Sequence, residues 1–506
     1  MKLDDTYPGQ KYVLHATRKK DMETMHLPFP RDWNRDNFNL PPNWKEIVLA
    51  KLDELRRKYR ELQLFLDICA SCGACADKCP FFIATKDPHN MPVARQNLLR
   101  LVYRRYFTIA GKMFGGLAGG TELTEELIHQ WYIYFYQCSQ CRRCAVFCPY
   151  GIDTAVFTMA AREVMSAIGL TPRSLTESVA KCEVSGNHMG MSPSALLSTI
   201  RFMEDEIKEE SGIHVHVPIN KKGAEILFIT PSADFFGEPH WQTFKGYLKL
   251  FHQIGLDYTL STYASEGGNF GTWLNYEHMK KINRKIVQEA QRLGVKWILG
   301  GECGHMWRVL HAYMGTMNVN HNFLEEPISP ITGTHFRMAE YSKTVHICEF
   351  TADLVRHQKL HFDPNRNKQY TVTFSDSCNP ARFMGLIEEP RYILQNICQN
   401  YVELDPSVNR ERTICCTAGG GLLADETLEL RLRAIEPKID AIRKTGANFL
   451  ALICAIDKAV YPEYLKHYNV PIQVGGVHEL VGYALVFDQE KSQRTEASMP
   501  APVAYR

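Results

Sequence analysis

The sequence predicts a chain of several domains, in which a helical region is followed by two α/β lobes related by duplication. Three observations support this fold class. Apolar residues recur at spacings of three and four up to about residue 170, which is typical of amphipathic helices. From about residue 224 to 485, short apolar segments alternate with longer helical ones, as in parallel sheets. The second half of this region repeats the first when Gly294 is aligned with Gly446.

Length and composition are those of a soluble globular protein. The 506 residues suffice for about three domains, and 45% apolar with 23% charged residues are ordinary values. Lysine and arginine number 58 against 56 acidic residues, so the net charge of +2 gives no basic field for nucleic acid. No apolar run approaches the roughly 20 residues of a membrane helix, and the N-terminus lacks a signal-peptide core. We therefore expect a cytoplasmic protein that reaches a membrane only through a partner subunit.

Composition divides the chain into six predicted segments. A polar, proline-rich start predicts an extended arm, a serine- and glycine-containing stretch predicts a linker, and the polar end predicts a flexible tail. In order, the segments are the arm 1–45, a helical domain 46–170, the linker 171–223, a first α/β lobe 224–345, a second α/β lobe 346–487 and the tail 488–506.

The helical domain has its clearest periodicity over 43–65, 93–107 and 121–137, and the last of these begins with a threonine cap and an acidic first turn. The glycine-rich segment 111–120 predicts a flexible connector. The aromatic stretch Trp131–Tyr136 is either an electron-transfer surface or part of the core, and we favour the core.

Two cysteine runs in this domain share the spacing C-x2-C-x2-C-x3-C-P. In ferredoxins with this spacing, three cysteines of one run bind one 4Fe-4S cluster and the fourth binds the other. The long helical interval between the runs indicates an all-helical ferredoxin domain. The alternative within this interpretation is an exchange of the two fourth ligands. The predicted ligands of two cubane 4Fe-4S clusters are Cys69, Cys72, Cys75 and Cys148 for one, and Cys138, Cys141, Cys144 and Cys79 for the other.

The C-terminal half carries its own cysteines at the ends of predicted strands. The predicted strands are 225–232, 295–301, 370–377 and 448–454. Cys378, the adjacent pair Cys415 and Cys416, and Cys454 each end such a strand or lie in the loop after it. Because the carboxyl ends of parallel strands meet at one edge of a sheet, we expect these four thiols to converge. The glycines 419–421 beside the pair permit a close approach of backbone to sulfur.

The spacing C-x36-CC-x37-C, with the motif CCTAGGG, resembles the cysteine-rich CCG domain of heterodisulfide reductases. A helical ferredoxin domain followed by two such lobes is similar to the HdrD proteins of heterodisulfide reductases. Within that family, the likeness is strongest to the iron–sulfur subunits of the DsrK (HmeD) type, which belong to the membrane complex DsrMKJOP. The segments that carry this likeness are GGECGHMW (300–307), VHICEFTADLV (345–355), FSDSCNPARFMG (374–385) and CCTAGGGLL (415–423).

The resemblance implies one noncubane 4Fe-4S cluster, and it also implies where this chain departs from the family. A complete CCG domain uses five cysteines and ends in C-x-x-C, but here Asp457 replaces the last cysteine. In the first lobe, Glu302 and His305 stand at the aligned ligand positions with Cys303 between them, so that lobe is expected to bind no cluster. The implied ligands are Cys378, Cys415, Cys416 and Cys454. Cys303 is expected to reach across as the fifth ligand, unless that position is open or is taken by Asp457 or His305.

The resemblance further implies a thiol:disulfide oxidoreductase that reduces, or forms, a disulfide or trisulfide on a sulfur-carrier protein of the DsrC type. Its partners would be a membrane haem b subunit (DsrM-like) and the other DsrMKJOP subunits, on the cytoplasmic face of the membrane. Two alternatives stay open. One is an electron-relay subunit of a glycolate, lactate or glycerol-3-phosphate oxidising complex, and the other is a small-molecule heterodisulfide reductase. The physiological direction is not encoded in these motifs.

Proton supply and the remaining cysteines complete the predicted site. His305, His188 and Asp457 are the candidate proton donors. Arg382, four residues after Cys378, is expected to form a salt bridge or to hold an anionic substrate. Three cysteines outside the motifs are expected to be buried apolar residues, namely Cys182, Cys348 and Cys398.

Overall fold

The computed structural model describes residues 8–16, 40–266, 268–317 and 321–487. The predicted tail 488–506 and most of the predicted arm 1–45 lie outside the described residues, as does the side chain of His305. The described part of the arm packs against the helical domain. There the Tyr132 hydroxyl donates a hydrogen bond to the Leu14 carbonyl at 2.8 Å, and Gln137 donates to the carbonyl of Tyr12 at 3.3 Å.

The N-terminal domain is helical, with helices close to those predicted at 93–107 and 121–137. Thr124 caps the second of them, because its hydroxyl accepts the Leu127 N–H at 3.2 Å. The helix predicted over 43–65 is divided at Tyr59, whose φ of −105° and ψ of 93° are extended. The α-helices of this domain are Trp44–Lys58, Arg60–Ile68, Pro80–Thr85, Pro92–Phe107, Ile109–Phe114, Glu125–Tyr136, Arg143–Val146 and Thr154–Ala167.

The aromatic stretch Trp131–Tyr136 forms the centre of this helical core. All six residues are buried, and the Trp131 indole N–H donates to the Leu98 carbonyl at 2.9 Å. The Tyr134 hydroxyl donates to the buried Asp87 carboxylate at 2.8 Å, so its polar end is satisfied as well. The prediction that this stretch is part of the core, and not an electron-transfer surface, is thereby confirmed.

The interval 171–223, for which the sequence predicts a linker, contains the helices Arg173–Ser185 and Pro193–Ser211. Gly186 ends the first helix in the left-handed region with a φ of 79°, and an added Cβ would lie 2.0 Å from the carbonyl oxygen of Tyr263. The turn between the two helices is therefore held against the first α/β lobe.

Two parallel four-stranded sheets follow, which confirms the prediction of a helical part plus α/β. In each sheet the order is second, first, third and fourth strand along the chain. The first sheet contains β1 (Ile226–Ile229), β2 (Tyr258–Thr259), β3 (Trp297–Gly300) and β4 (Thr344–His346). The second contains β5 (Thr371–Phe374), β6 (Asn400–Val402), β7 (Phe449–Leu452) and β8 (Gln473–Gly476).

Helices cover both sheets, and the buried residues of the two sheets belong to one core. This core extends from Phe228 in β1 to Phe374 in β5. The helices of the first sheet are Ala233–Phe236, Trp241–Ile254, Tyr276–Leu293 and Gly304–Met317. Those around the second are Ile347–Arg356, Cys378–Met384, Glu388–Ile397, Leu428–Lys444, Ala455–His467 and Val477–Ala484.

The two sheets are joined where the helix Trp241–Ile254 crosses the helix Val477–Ala484. A Cβ added to Gly246 would lie 1.8 Å from the carbonyl oxygen of His478, so the crossing requires glycine at this position. Across the part of the chain that the structure describes, no helix combines the length and the apolar character needed to traverse a lipid bilayer.

Candidate functional site

The cysteines of the two runs form two groups of four. Cys69, Cys72 and Cys75 line one small cavity together with Cys148. Arg100 fixes this loop, because its guanidinium donates to the carbonyls of Leu66 and Cys69 and to the Ser71 hydroxyl. Cys72 is exposed, so this first quartet is the one that approaches the molecular surface.

The second quartet lies deeper, beside the C-terminal lobe. It consists of Cys138, Cys141, Cys144 and Cys79, which line a second small cavity. Arg162 donates to the Cys138 carbonyl at 2.9 Å and to the Gly420 carbonyl at 2.8 Å, and so it fastens this quartet to the second α/β lobe. Each group has the composition of a predicted ligand set, with three cysteines from one run and the fourth from the other. Ligation itself stays a prediction.

A third group of cysteines gathers at the carboxyl ends of the parallel strands. Cys378 begins the helix after β5, and Cys454 precedes the helix after β7. Cys415 and Cys416 lie in the loop between β6 and the helix Leu428–Lys444. All four are buried.

The Cys415 thiol is the centre of this third group. It lies beside the thiols of Cys378, Cys416 and Cys141, the last of which belongs to the second quartet. The Ser139 hydroxyl lies 3.1 Å from the Cys415 sulfur. These contacts with neighbouring thiols, and burial, raise the pKa of Cys415 well above its usual range. Buried thiols in mutual contact fit a soft metal centre, because bound cations would hold them as thiolates.

A backbone N–H group also donates a hydrogen bond to the Cys415 sulfur. Thr417 is a β-branched residue with a φ of 68°, a conformation that such residues rarely adopt. In this conformation its N–H donates to the Cys415 sulfur at 3.2 Å. The glycines 419–421 were expected to allow an approach of backbone to sulfur, but Gly420 instead lies against the backbone of Ser139. Its φ is 65°, and an added Cβ would lie 2.6 Å from the carbonyl oxygen of Ser139. The run therefore lets the ferredoxin domain approach the lobe.

Cys303 reaches the third group from the first lobe, where it follows β3. It lies close enough to Cys454 to contribute, after burial and Asp457, to a pKa of the Cys454 thiol well above the usual range. The next residue must be small, because a Cβ on Gly304 would lie 2.9 Å from Pro380 and 3.4 Å from the Cys454 sulfur. Cys303 thus stands beside the cysteines of the other lobe.

Asp457 occupies the position of the missing cysteine and is part of the same buried site. It accepts a hydrogen bond from the Ser377 hydroxyl at 2.6 Å and contacts the Cys416 thiol. Burial raises the pKa of its carboxyl group. Of the predicted site residues, only the side chain of His305 lies outside what the structure describes.

Arg382 forms no salt bridge with the residues that the structure describes, and its role in holding an anionic substrate stays a prediction. Its guanidinium donates to three backbone carbonyls, those of Cys141 at 2.6 Å, Thr413 at 2.6 Å and Glu411 at 3.1 Å. Because Cys141 belongs to the ferredoxin domain, Arg382 joins the second quartet to the loop that carries Cys415. Cys182, Cys348 and Cys398 are buried, as predicted.

Glu302, at the position that aligns with Cys454, is part of a buried ion network between the lobes. It lies 3.2 Å from the Lys458 ammonium and 2.7 Å from His478 Nδ1. Burial alone would raise its pKa, but Lys458 and His478 lower the pKa of Glu302 to about 2. Potential metal-ligand atoms of Glu302, Cys348 and His478 lie within 4.8 Å of one another. Since Lys458 already supplies the neutralising cation, we assign no metal to them.

A cavity of about 360 Å³ opens beside the third group. Cys303 and the glycines 419–421 contribute to its wall, and most of the other lining side chains are apolar. His188 and Glu266 also line it. The pairing of these two residues has no local signature, because they are brought together from separate parts of the chain. A larger open cleft of about 790 Å³ around Leu248 and Phe251 contains none of the predicted ligands.

Fold and cysteine geometry together define an iron–sulfur oxidoreductase subunit, and comparisons with known proteins agree. A family model described as a 4Fe-4S dicluster domain matches residues 65–152. The chain is 46% identical to an Hdr-like menaquinol oxidoreductase iron–sulfur subunit of Archaeoglobus fulgidus over 94% of this chain and 90% of the relative. It is 44% identical to the corresponding subunit of Archaeoglobus profundus over 95% and 91%.

A more distant relative is the D-type subunit of the dihydromethanophenazine:CoB–CoM heterodisulfide reductase of Methanosarcina mazei. It is 24% identical over 83% of this chain and 94% of the relative. The chain therefore belongs to the family of heterodisulfide-reductase-like iron–sulfur subunits. It is a redox protein that binds iron–sulfur clusters through its dicluster domain.

Proposed function

We propose that this chain is the catalytic iron–sulfur subunit of a membrane-associated complex that reduces, or forms, a disulfide or trisulfide bond. The two quartets hold two cubane 4Fe-4S clusters. Cys378, Cys415, Cys416 and Cys454 hold a noncubane 4Fe-4S cluster, with Cys303 as the fifth ligand. The two α/β lobes are duplicated CCG domains, of which only the second carries a cluster. The equal strand order of the two sheets supports the duplication.

One contact carries this proposal. The Cys415 thiol touches Cys141 of the second quartet, so the two adjoining metal centres are separated by little more than their ligands. Cys72 of the first quartet is exposed, and Cys303, the proposed fifth ligand of the third centre, lines the cavity. The first centre is therefore open to a partner at the surface, and the third lies beside a space that a substrate can enter.

The chemistry of a disulfide explains why a third centre is useful. Cleavage requires two electrons, whereas cubane clusters deliver one at a time. When bound, the noncubane cluster supplies electrons and an iron that accepts sulfur. The chain sets the conditions for this chemistry, because the Thr417 N–H and the Ser139 hydroxyl are placed at the Cys415 sulfur. Hydrogen bonds to coordinating sulfur tune the reduction potential of such centres.

The resemblance to the family is the basis for the proposed partners. We propose a membrane haem b subunit (DsrM-like) and other DsrMKJOP-type subunits as electron-transfer partners, and a DsrC-type sulfur-carrier protein as substrate. The two Archaeoglobus relatives are named menaquinol oxidoreductases, which supports a membrane quinol as the redox partner of the complex. We place the subunit on the cytoplasmic face of the membrane.

Metal content and spectroscopy test the proposal. The anaerobically isolated protein is expected to contain about twelve irons, four for each of three clusters. A thiol added to the oxidised protein is expected to produce a new paramagnetic signal. Cys415→Ala is expected to abolish the signal and to reduce the iron content to about eight. Cys398→Ala is the matched control, because Cys398 is also buried but lies outside the three groups.

Two outcomes would contradict the proposal. One is an iron content of about eight in the wild-type protein, with the four C-terminal thiols open to alkylation after denaturation. The other is a full iron content without any spectral response to a thiol or a disulfide. The second outcome would instead support an electron-relay subunit whose partner carries out the chemistry.

A further inference from the structure

The cavity beside Cys303 contains a second chemical feature besides the cysteines. Its volume of about 360 Å³ lies in the usual range for small-ligand sites. Cys303 and the glycines 419–421 belong to its wall, and so do His188 and Glu266. A substrate sulfur inside this space would therefore meet the cysteine site and a histidine–carboxylate pair together.

His188 is held in a defined orientation. It lies in the turn between the helices Arg173–Ser185 and Pro193–Ser211, and its ring stacks on Phe270 at a centroid distance of 4.9 Å. Its Nδ1 lies 2.6 Å from a Glu266 carboxylate oxygen and 2.9 Å from the Ser232 hydroxyl. The Ser232 N–H donates to the same carboxylate oxygen at 3.2 Å.

The two side chains of the pair differ in their exposure. The Glu266 side chain is 2% exposed, whereas that of His188 is 28% exposed. The carboxylate thus lies behind the ring, as in sites where a buried acid orients a catalytic imidazole. Because Nδ1 is engaged by Glu266, Nε2 is the nitrogen that can exchange a proton with a ligand in the cavity.

We propose that His188 is the proton donor and acceptor for substrate sulfur in this cavity, and that Glu266 is its positioning residue. This inference rests on the proposed function. In the reducing direction, the clusters that the three cysteine groups would hold would supply the two electrons that break the S–S bond. His188 transfers its Nε2 proton to one sulfur, which leaves as a thiol. The imidazole then takes a second proton from water and passes it to the other sulfur, so that two electrons and two protons convert one disulfide into two thiols.

The other titratable groups around the cavity do not replace His188. His240 also lines it, but burial lowers the pKa of His240 to about 4, and its Nε2 lies 2.9 Å from the Ala455 carbonyl. The side chain of Lys181 lies beside Gly190, and Gly190 belongs to the same turn as His188. Cys182 is buried near Glu266, and burial raises the pKa of its thiol well above the usual range.

The reverse half of this step can be measured without turnover. When 1-butanethiol binds to the oxidised, cluster-loaded protein, its S–H bond breaks, and the proton goes to His188 or to the solvent. The wild-type protein is therefore expected to release clearly less than one proton per bound thiol, measured with an indicator dye in weak buffer. His188→Gln is expected to release close to one.

The pH dependence of disulfide reduction is the second measurement. His188→Gln is expected to lower the rate by about 100-fold or more, the usual contribution of a general acid. It is also expected to remove the decline of the rate at high pH that the loss of a proton-donating imidazole causes. His357→Gln is the matched control, because His357 forms a similar pair with Asp353 at 3.0 Å outside the cavity.

The outcomes separate this inference from the proposed function. If no thiol produces a spectral change in the wild-type protein, both are overturned. If the thiol binds and wild-type and His188→Gln proteins release equal numbers of protons, only the role of His188 is overturned. Should His188→Gln fail to fold, Glu266→Gln provides the same comparison. This variant is expected to release more protons than the wild-type protein and to retain its iron, and equal release would contradict the positioning role.

Discussion

At the scale of single residues, a buried ion pair joins the first lobe to the second. Lys458 is completely buried and lies 3.2 Å from Glu302 and 3.9 Å from Asp234. Glu302 stands where the second lobe has Cys454, and Ala233 stands where it has Cys378. The residue that aligns with Cys454 is therefore half of an ion pair that joins the two lobes.

Removal of the Lys458 charge should destabilise the protein strongly. In Lys458→Met the carboxylate of Glu302 loses its closest cation in a fully buried site, and such losses amount to about 3–5 kcal/mol. The measurement is the urea midpoint of unfolding, compared with that of Lys444→Met. Lys444 is exposed at the end of its helix, so its replacement is expected to be nearly neutral. Equal midpoints for the two variants would contradict the role of the ion pair.

Part of the site could be predicted from the sequence alone, and part could not. The eight ferredoxin cysteines were predictable from spacing, and the convergence of Cys378, Cys415, Cys416 and Cys454 followed from their positions at strand ends. The contact between Cys141 and Cys415 was not predictable, because it depends on how the ferredoxin domain docks on the lobe. For the same reason no sequence pattern indicated that Arg382 binds the Cys141 carbonyl.

At the level of elements, the central strands were recognised and the edge strands were missed. β1, β3 and β7 are mainly apolar and β5 consists of β-branched and aromatic residues; all four pair with a neighbour on both sides, so their composition signals a strand. β2 has two residues, β6 reads NYV and β8 reads QVGG. Such short, partly polar segments have no strand pattern of their own, because pairing with a neighbour determines their conformation.

One helix end should make stability dependent on pH. Glu349 caps the helix Ile347–Arg356 by accepting the His346 N–H at 2.9 Å, and burial raises the pKa of this carboxyl from 4.5 to about 7. Because the folded protein holds this proton more tightly than the unfolded chain, the associated stability is present below pH 4.5 and is lost as the pH rises toward 7.

Glu349→Gln should remove this dependence, since an amide does not titrate. The unfolding temperature of the wild-type protein is expected to fall between about pH 5 and 8 by more than that of Glu349→Gln, given about 1.4 kcal/mol per unit of pKa difference. Glu429→Gln is the control, because Glu429 is an exposed first-turn residue of another helix. Parallel curves for all three proteins would exclude a contribution from Glu349.

On the scale of the whole molecule, two surfaces are relevant to electron transfer and substrate binding. One includes the exposed Cys72 of the first quartet, and the other is the cavity lined by Cys303. Arg100 in the helix Pro92–Phe107 binds the loop of the first quartet. The segment that follows this helix has four exposed apolar side chains. These are Ile109, Met113, Phe114 and Leu117, with exposures of 80%, 69%, 58% and 94%.

Such a cluster is unusual on a protein surface and indicates a binding partner. We expect the proposed membrane subunit to cover it, because the cluster follows the helix whose Arg100 binds the loop of the first quartet. The double variant Phe114→Ser and Leu117→Ser should then weaken co-purification with the membrane subunit without loss of iron. Met338→Ser with Tyr341→Ser is the control, since these exposed residues lie on the first lobe. Unchanged co-purification of the first variant would place the partner elsewhere.

The contact between Cys141 and Cys415 has a consequence for biosynthesis. Before iron arrives, these two sulfurs are neighbours in a newly made chain, and an oxidant can join neighbouring thiols. A single such bond would disable two metal sites and lock the ferredoxin domain onto the lobe. Assembly must therefore proceed in a reducing environment, and loading either site with iron protects the other from this failure.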